Sequence, residues 1–227
     1  MQAIQWEYIF DPQLAWESLP FLIQGIPSTL GIALTSTAIG ILIGLVLALM
    51  RLSGLKAVQW TARAYVSFMR GTPALVFLFL IYFGLPFAGI QFSALTAAII
   101  CFSLNAAAYI SEIFRSSIAS VDKGQWEAAA VLGLSPYRSV RRIILPQAIR
   151  IAIPPLSSVL LDVIKGTSLA AMITVNEIFQ NARIVGGREH DYMTMYILVA
   201  GIYWLICSIF SVLQDYLEHV FSRYITG

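Results

Sequence analysis

The chain has 227 residues, 59% of them apolar and 11% charged, with a mean hydropathy of +0.79. Soluble domains carry about a quarter charged residues, so this composition belongs in a membrane. A helix needs roughly 20 apolar residues to cross about 30 Å of hydrocarbon. The apolar total, about 134 residues, supplies five or six spans and leaves no room for a large soluble catalytic domain. Fourteen Lys+Arg against twelve Asp+Glu gives +2, which excludes a polybasic nucleic-acid binder.

The opening stretch MQAIQWEYIFDPQLAWESLP is acidic and lacks a basic n-region, so it does not read as a cleavable signal peptide. Its Trp6, Tyr8 and Trp16 fit either an outer aromatic belt or an amphipathic lead-in. From Ser18 to Met50 no charge occurs for 33 residues, which predicts an approach segment and then a first span ending at Met50-Arg51. Gly40-Ile-Leu-Ile-Gly44 within it permits close helix approach. From Gly71 to Ser111 there is none for 41 residues; Gly84, Pro86 and Gly89 break that run into two helices joined by a hairpin. A fourth span is read from about Gln147 to Gln180, interrupted by Arg150, Asp162, Lys165 and Glu177, and a fifth from Tyr192 to Gln214. Nothing in the chain reads as a linker, so residues 1–227 are expected to form a single membrane domain.

Five spans place the termini on opposite sides, and the basic residues choose between the sides. One set of loops holds Arg51, Lys56, Arg63, Arg70 and seven further cations up to Arg223, eleven of the fourteen; the other holds Arg183 and Arg188. The positive-inside rule puts the first set in the cytoplasm, the amino terminus outside and the carboxyl terminus inside.

Charge within a span costs about 2.5–3.5 kcal/mol per residue on insertion scales, so Asp162 and Lys165 need a reason. At i and i+3 they can form a closed structural pair. Alternatively, Lys165-Gly166-Thr167-Ser168 sets hydroxyls and a helix-loosening glycine beside the charge, as backbone facing an aqueous cavity would. In the third span Asn105, Tyr109 and Glu112 form one polar stripe, the last near enough to pair with Arg115. Cys101 and Cys207 read as packed thiols, and His190 and His219 as solvated or interfacial groups, so no metal site is expected. There is no phosphate-binding G-x-x-x-x-G-K-[ST], H-E-x-x-H or G-x-S-x-G pattern, so the chain is not expected to be an enzyme.

The longest segment outside the spans, about Arg115 to Gln147, is more structured than a tether requires. Asp122 with Gln125 three residues on reads as a capping box that opens a helix, and Gly133 as its left-handed stop. Ser135-Pro136 opens a second helix, expected to end at Pro146.

Glu127-Ala128-Ala129, three residues, Gly133, nine residues, then Ile143-Ile144-Leu145-Pro146 resembles the EAA motif of ABC importer permeases, E-A-A-x3-G-x9-I-x-L-P, at every fixed position and both gaps. Arg70-Gly71-Thr72-Pro73, Gly84-Leu85-Pro86, Pro146-Gln147-Ala148 and Lys165-Gly166-Thr167-Ser168-Leu169 extend the likeness to the polar amino acid branch, the histidine/glutamine/cystine type. Gly166 stands where that branch usually has aspartate, and Phe77 where it often has glutamine; both changes make the region less polar.

The resemblance implies an all-α integral membrane protein with five transmembrane helices and a cytoplasmic two-helix coupling loop, the type I ABC importer permease fold. It implies a transport subunit that carries a polar amino acid or cystine inward across a bacterial cytoplasmic membrane. Coupling is expected through Glu127, Ala128, Ala129, Gly133, Leu145 and Pro146. Asn105, Asp162, Lys165, Thr167 and Ser168 are the candidates for the substrate path. The implied partners are a second permease chain, two ATP-binding subunits holding the ATP and magnesium, an extracytoplasmic solute-binding protein and membrane lipid, with no nucleic acid. The rival reading is an ion-coupled carrier or channel subunit that needs no ATPase.

Overall fold

The computed structural model describes residues 9–222, which form ten helices joined by turns, with no strand among them. Trp6, Tyr8 and Arg223, which entered the belt and charge readings, lie outside the described residues. Helix α1 (Pro12–Ile23) opens on Asp11, whose carboxylate accepts the N–H groups of Gln13 and Leu14 at 2.8 and 3.0 Å. Proline at its first position gives up no hydrogen bond. After Gln24-Gly25 comes α2 (Ile26–Leu52), so approach segment and first span both form. Then come α3 (Lys56–Gly71), α4 (Ala74–Phe79), α5 (Ala94–Ala119), α6 (Lys123–Val131), α7 (Pro136–Ser139), α8 (Leu145–Gly166), α9 (Ile178–Glu189) and α10 (Tyr192–Ser222).

Among the described residues four stretches are long and apolar enough to cross a membrane: Ile26–Leu52, Ala94–Ala119, Pro136–Ile173 and Tyr192–Tyr216. A fifth is reached when Lys56–Gly71 and Ala74–Ala88 are taken as one broken span. The second span therefore departs from the expectation that it begins at Gly71. Its uncharged part, α4 with a π turn (Leu80–Gly84) and a 3₁₀ turn (Leu85–Ala88), is too short to cross about 30 Å at 1.5 Å per residue. The rest is α3, whose Lys56, Arg63 and Arg70 conceal it from a search for uncharged runs. Gly89, at φ +80°, ends the element as the sequence indicated.

The chain divides into two compact units. The first takes residues up to Ser36, Ala74–Phe102 and Leu161–Phe210; the second takes Thr37–Pro73, Ser103–Leu160 and the chain from Ser211 on.

In the first unit α1 is fixed to α9 and α10 by polar bonds. Asn181 Nδ2 donates to the Phe21 carbonyl at 2.9 Å, and the Asp11 N–H donates to Thr194 Oγ1 at 2.9 Å. Arg183 donates to the Ala171 carbonyl at 3.2 Å, capping the turn before α9. Cys101 is buried and unbridged, with its thiol against the Ala74 carbonyl at 3.5 Å.

In the second unit the G-x-x-x-G stripe of α2 packs on α5. A methyl group on Gly40 would meet Ala106 Cβ at 3.1 Å, and one on Gly44 would meet Ile110 Cγ2 at 2.7 Å. The missing side chains thus set how closely the helices approach. Leu47, Ala62 and Ala107 form one apolar cluster there and Val121, Ile144 and Ala148 another. Tyr65 joins α3 to α5 by donating to the Leu104 carbonyl at 2.8 Å.

Candidate functional site

The segment carrying Glu127 to Pro146 is built by local rules. Asp122 caps α6 by accepting the Gly124 N–H at 2.6 Å. The expected reciprocal half of a capping box does not form, because the Gln125 side chain instead accepts from Gln147 Nε2 at 3.2 Å. That bond ties the start of α6 to the start of α8. At its other end α6 closes in a Schellman arrangement: Gly133 N–H donates to Ala130 O at 3.0 Å and Leu134 N–H to Ala129 O at 3.1 Å, with Gly133 at φ +69°. Glu127, Ala128 and Gly133 are exposed, whereas Ala129 is buried. Beside them Val131, Leu132 and Tyr137 are 88%, 75% and 70% exposed, an apolar patch on an otherwise polar knob.

Pro146 does not end the second helix. Ser135 takes the N-cap position without a side-chain bond, α7 follows, and a π turn at Val140–Ile144 leads straight into α8. Leu145 N–H reaches back to Val140 O, and the wider turn admits Pro146 in the first turn of α8, where its missing donor costs nothing. The knob and the following span are one continuous helical rod, Pro136–Ile173. Leu145 and Pro146 stand exposed at the joint.

Further along that rod, in the first unit, α8 changes to a 3₁₀ turn (Thr167–Ile173) just after Gly166. Asp162 and Lys165 pair across one helical turn at 2.8 Å, yet their side chains are 72% and 58% exposed. Ser168 donates to the Lys165 carbonyl at 2.8 Å. Thr167 is turned the other way: it is buried and donates to Ile164 O at 2.7 Å. Asn105 falls in the second unit, where its Nδ2 donates to Met69 O at 3.3 Å.

The remainder of the Asn105 stripe meets basic residues of the second unit. Glu112 is held by both Arg51 and Arg115, and the Arg70 guanidinium lies 5.5 Å over the Tyr109 ring. Arg51, Arg63, Ser67, Arg70, Tyr109 and Glu112 line a cavity of about 540 Å³. Pairing of Glu112 with Arg115 was legible from spacing; Arg51, 61 positions earlier, was not.

Sequence reading also missed Glu177, which it took only as an interruption of an apolar run. Glu177 is fully buried, caps α9 by accepting Gln180 N–H at 2.7 Å, and accepts the Tyr203 hydroxyl at 2.7 Å. Tyr203 lies 3.4 Å from the Thr167 hydroxyl, so the carboxylate is linked through one phenol to the 3₁₀ turn. An acid directly before an apolar helix was the one signal available.

Residues 40–223 match the model of the family described as binding-protein-dependent transport system inner membrane component. The chain is 60% identical over 225 residues to a probable amino-acid ABC transporter permease protein, YckA, of Bacillus subtilis (strain 168), covering 99% of this chain and 100% of the relative. It is 42% identical to the L-cystine transport system permease protein TcyB of the same organism, over 98% and 94% of the two chains. Among solved structures, an amino acid ABC transporter crystallised with histidines superposes at a TM-score of 0.89 with 34% identity, covering 92% of this chain and 98% of that one. The MetNI methionine ABC transporter in an inward-facing form shares the fold at 0.75 with 20% identity, over 93% and 99%.

Proposed function

The chain belongs to the family of binding-protein-dependent transport system inner membrane components, and from that membership we propose that it is the membrane-spanning permease subunit of an ATP-driven importer of polar amino acids or cystine. One observation carries the reading most directly: helix α6, which carries Glu127, leads through the Gly133 turn to α7 and so into a rod continuous with the fourth span. A displacement of α7 is carried toward Asp162 and Lys165 along that rod.

In this reading a separate ATPase, which holds the ATP and magnesium, docks on the Val131, Leu132 and Tyr137 patch around Gly133. Ala128 lets its surface approach, Glu127 anchors it, and Leu145-Pro146 forms the joint that swings. Two such ATPases serve two permease chains, and a solute-binding protein delivers substrate on the other side. The ends of the spans that carry Arg51 and Arg115 face the cytoplasm together with the carboxyl terminus, and the amino terminus faces outward. Asp162, Lys165 and Ser168 line the path toward the second permease chain, and Thr167 fixes the turn that presents them. A zwitterion needs donors for its carboxylate and an acceptor for its ammonium, which Lys165, Ser168 and Asp162 supply.

Gly133→Asp tests the coupling step. The glycine has open space around it and a left-handed φ, so the change costs roughly 1–2 kcal/mol in backbone strain and leaves an inserted permease. Uptake is expected to fall to background while hydrolysis by the bound ATPase continues. Normal ATP-dependent uptake by this variant contradicts the reading.

A further inference from the structure

Within the second unit the cavity lined by Arg63, Arg70 and Glu112 shares Arg51 and Arg63 with a second cavity, of about 520 Å³, which Arg115, Lys123 and Trp126 complete. That second cavity shares Ile118 with a third, of about 270 Å³, whose wall is apolar: Leu45, Phe114, Leu145, Ala148 and Ile149. At Ile118, which lines both, the basic hollow adjoins an oily groove. Five cations line the hollow against one carboxylate, and both oxygens of Glu112 are already taken, by Arg51 and Arg115. Among the described residues Arg63, Arg70 and Lys123 form no ion pair, and Arg51 Nε is buried without a hydrogen-bond partner. Arg63 lies 5.9 Å over the Trp60 ring, and Trp60 is 67% exposed on the amphipathic helix α3.

From these features we infer that the hollow and groove form one binding site for an anionic glycerophospholipid. Its phosphate lies among Arg51, Arg63, Arg115 and Lys123, and one acyl chain runs past Ile118 into the groove beside Leu145. Basic pockets between spans hold acidic lipid headgroups for the same electrostatic reason. The saturation of Glu112 sets the specificity: a choline or ethanolamine headgroup finds cations and no free acceptor, whereas a glycerol headgroup brings net negative charge. The site joins α2, α3, α5 and α6 to the start of α8, so the lipid braces the coupling helix at the Leu145 joint. The inference does not depend on which substrate is carried.

The test uses the permease purified with its ATPase and measures lipid retention by native mass spectrometry. Phosphatidylglycerol and phosphatidylcholine of identical chains are compared, with inorganic phosphate as competitor. Phosphatidylglycerol is expected to be retained about tenfold more tightly or better. Arg63→Gln with Lys123→Gln should erase that preference and leave phosphatidylcholine retention unchanged, while Arg63→Lys with Lys123→Arg preserves it. Ile149→Asn, in the groove, should weaken both lipids. Equal retention of the two lipids by the wild type overturns the proposal. So does displacement of phosphatidylglycerol by millimolar phosphate with Ile149→Asn silent, which would mark a free-anion site.

Discussion

Gly25 lies flat against the backbone of Ile178: a methyl group on the glycine would come within 2.7 Å of the Ile178 Cα and closer still to its nitrogen. Thr29, one turn further on, takes the Ile178 N–H at 3.5 Å. The junction of α1 and α2 is thereby fixed to the start of α9, where Glu177 is buried. A Cβ there has only main chain to displace, and main chain does not yield cheaply.

Gly25→Ala should accordingly destabilise the permease by about 3 kcal/mol or more, whereas Gly44→Ala, whose contacts with Ile110 Cγ2 and Cβ at 2.7 and 2.9 Å are less severe, should cost about 1–3 kcal/mol. Thermal unfolding in detergent ranks the two. Equal midpoints, or a larger loss at Gly44, would count against the packing described.

Glu177→Ala leaves the Tyr203 hydroxyl and the Gln180 N–H without their acceptor and should cost about 1–3 kcal/mol. Glu177→Gln keeps an acceptor and should cost less.

Exchanging the pair, Asp162→Lys with Lys165→Asp, preserves the 2.8 Å ion pair across one turn but inverts the charges offered to a substrate. Uptake should be lost while the chain still assembles with its partners. Unchanged uptake with the same apparent affinity would make the pair structural and move the path elsewhere.

Orientation is read by accessibility labelling in a background with Cys101→Ala and Cys207→Ala. Single cysteines at Pro12 and Phe87 should react with an impermeant reagent outside intact cells, and one at Ser135 should not. Phe87 is 95% exposed and Ser135 is exposed, so burial does not explain a negative result. External labelling at Ser135 would reverse the topology.

Much of this was legible in the sequence because the signals are local. Asp122 and Gly133 mark the ends of α6 through backbone chemistry that needs no partner, and the uncharged runs mark the first, third and fifth spans. Five features escaped for physical reasons. The second span hid because α3 carries three cations on an amphipathic helix. Pro146 reads as a terminator when the preceding turn is assumed to be α-helical, but a π turn admits it. Glu177 and Arg51 are explained by Tyr203 and Glu112, partners distant in the chain that no spacing rule brings together. Thr167 shares its sequence neighbourhood with Lys165 and Ser168, yet the change to a 3₁₀ turn at Gly166 points it inward, which periodicity alone does not announce.

The central claim is that ATP hydrolysed by a separate subunit drives uptake through this chain. Proteoliposomes containing the permease and its ATPase, with the solute-binding protein added outside and ATP enclosed, should accumulate a labelled polar amino acid or cystine. Accumulation should require all three components and cease with Gly133→Asp. Uptake by the permease alone, driven by a proton or sodium gradient and indifferent to ATP, would contradict the account.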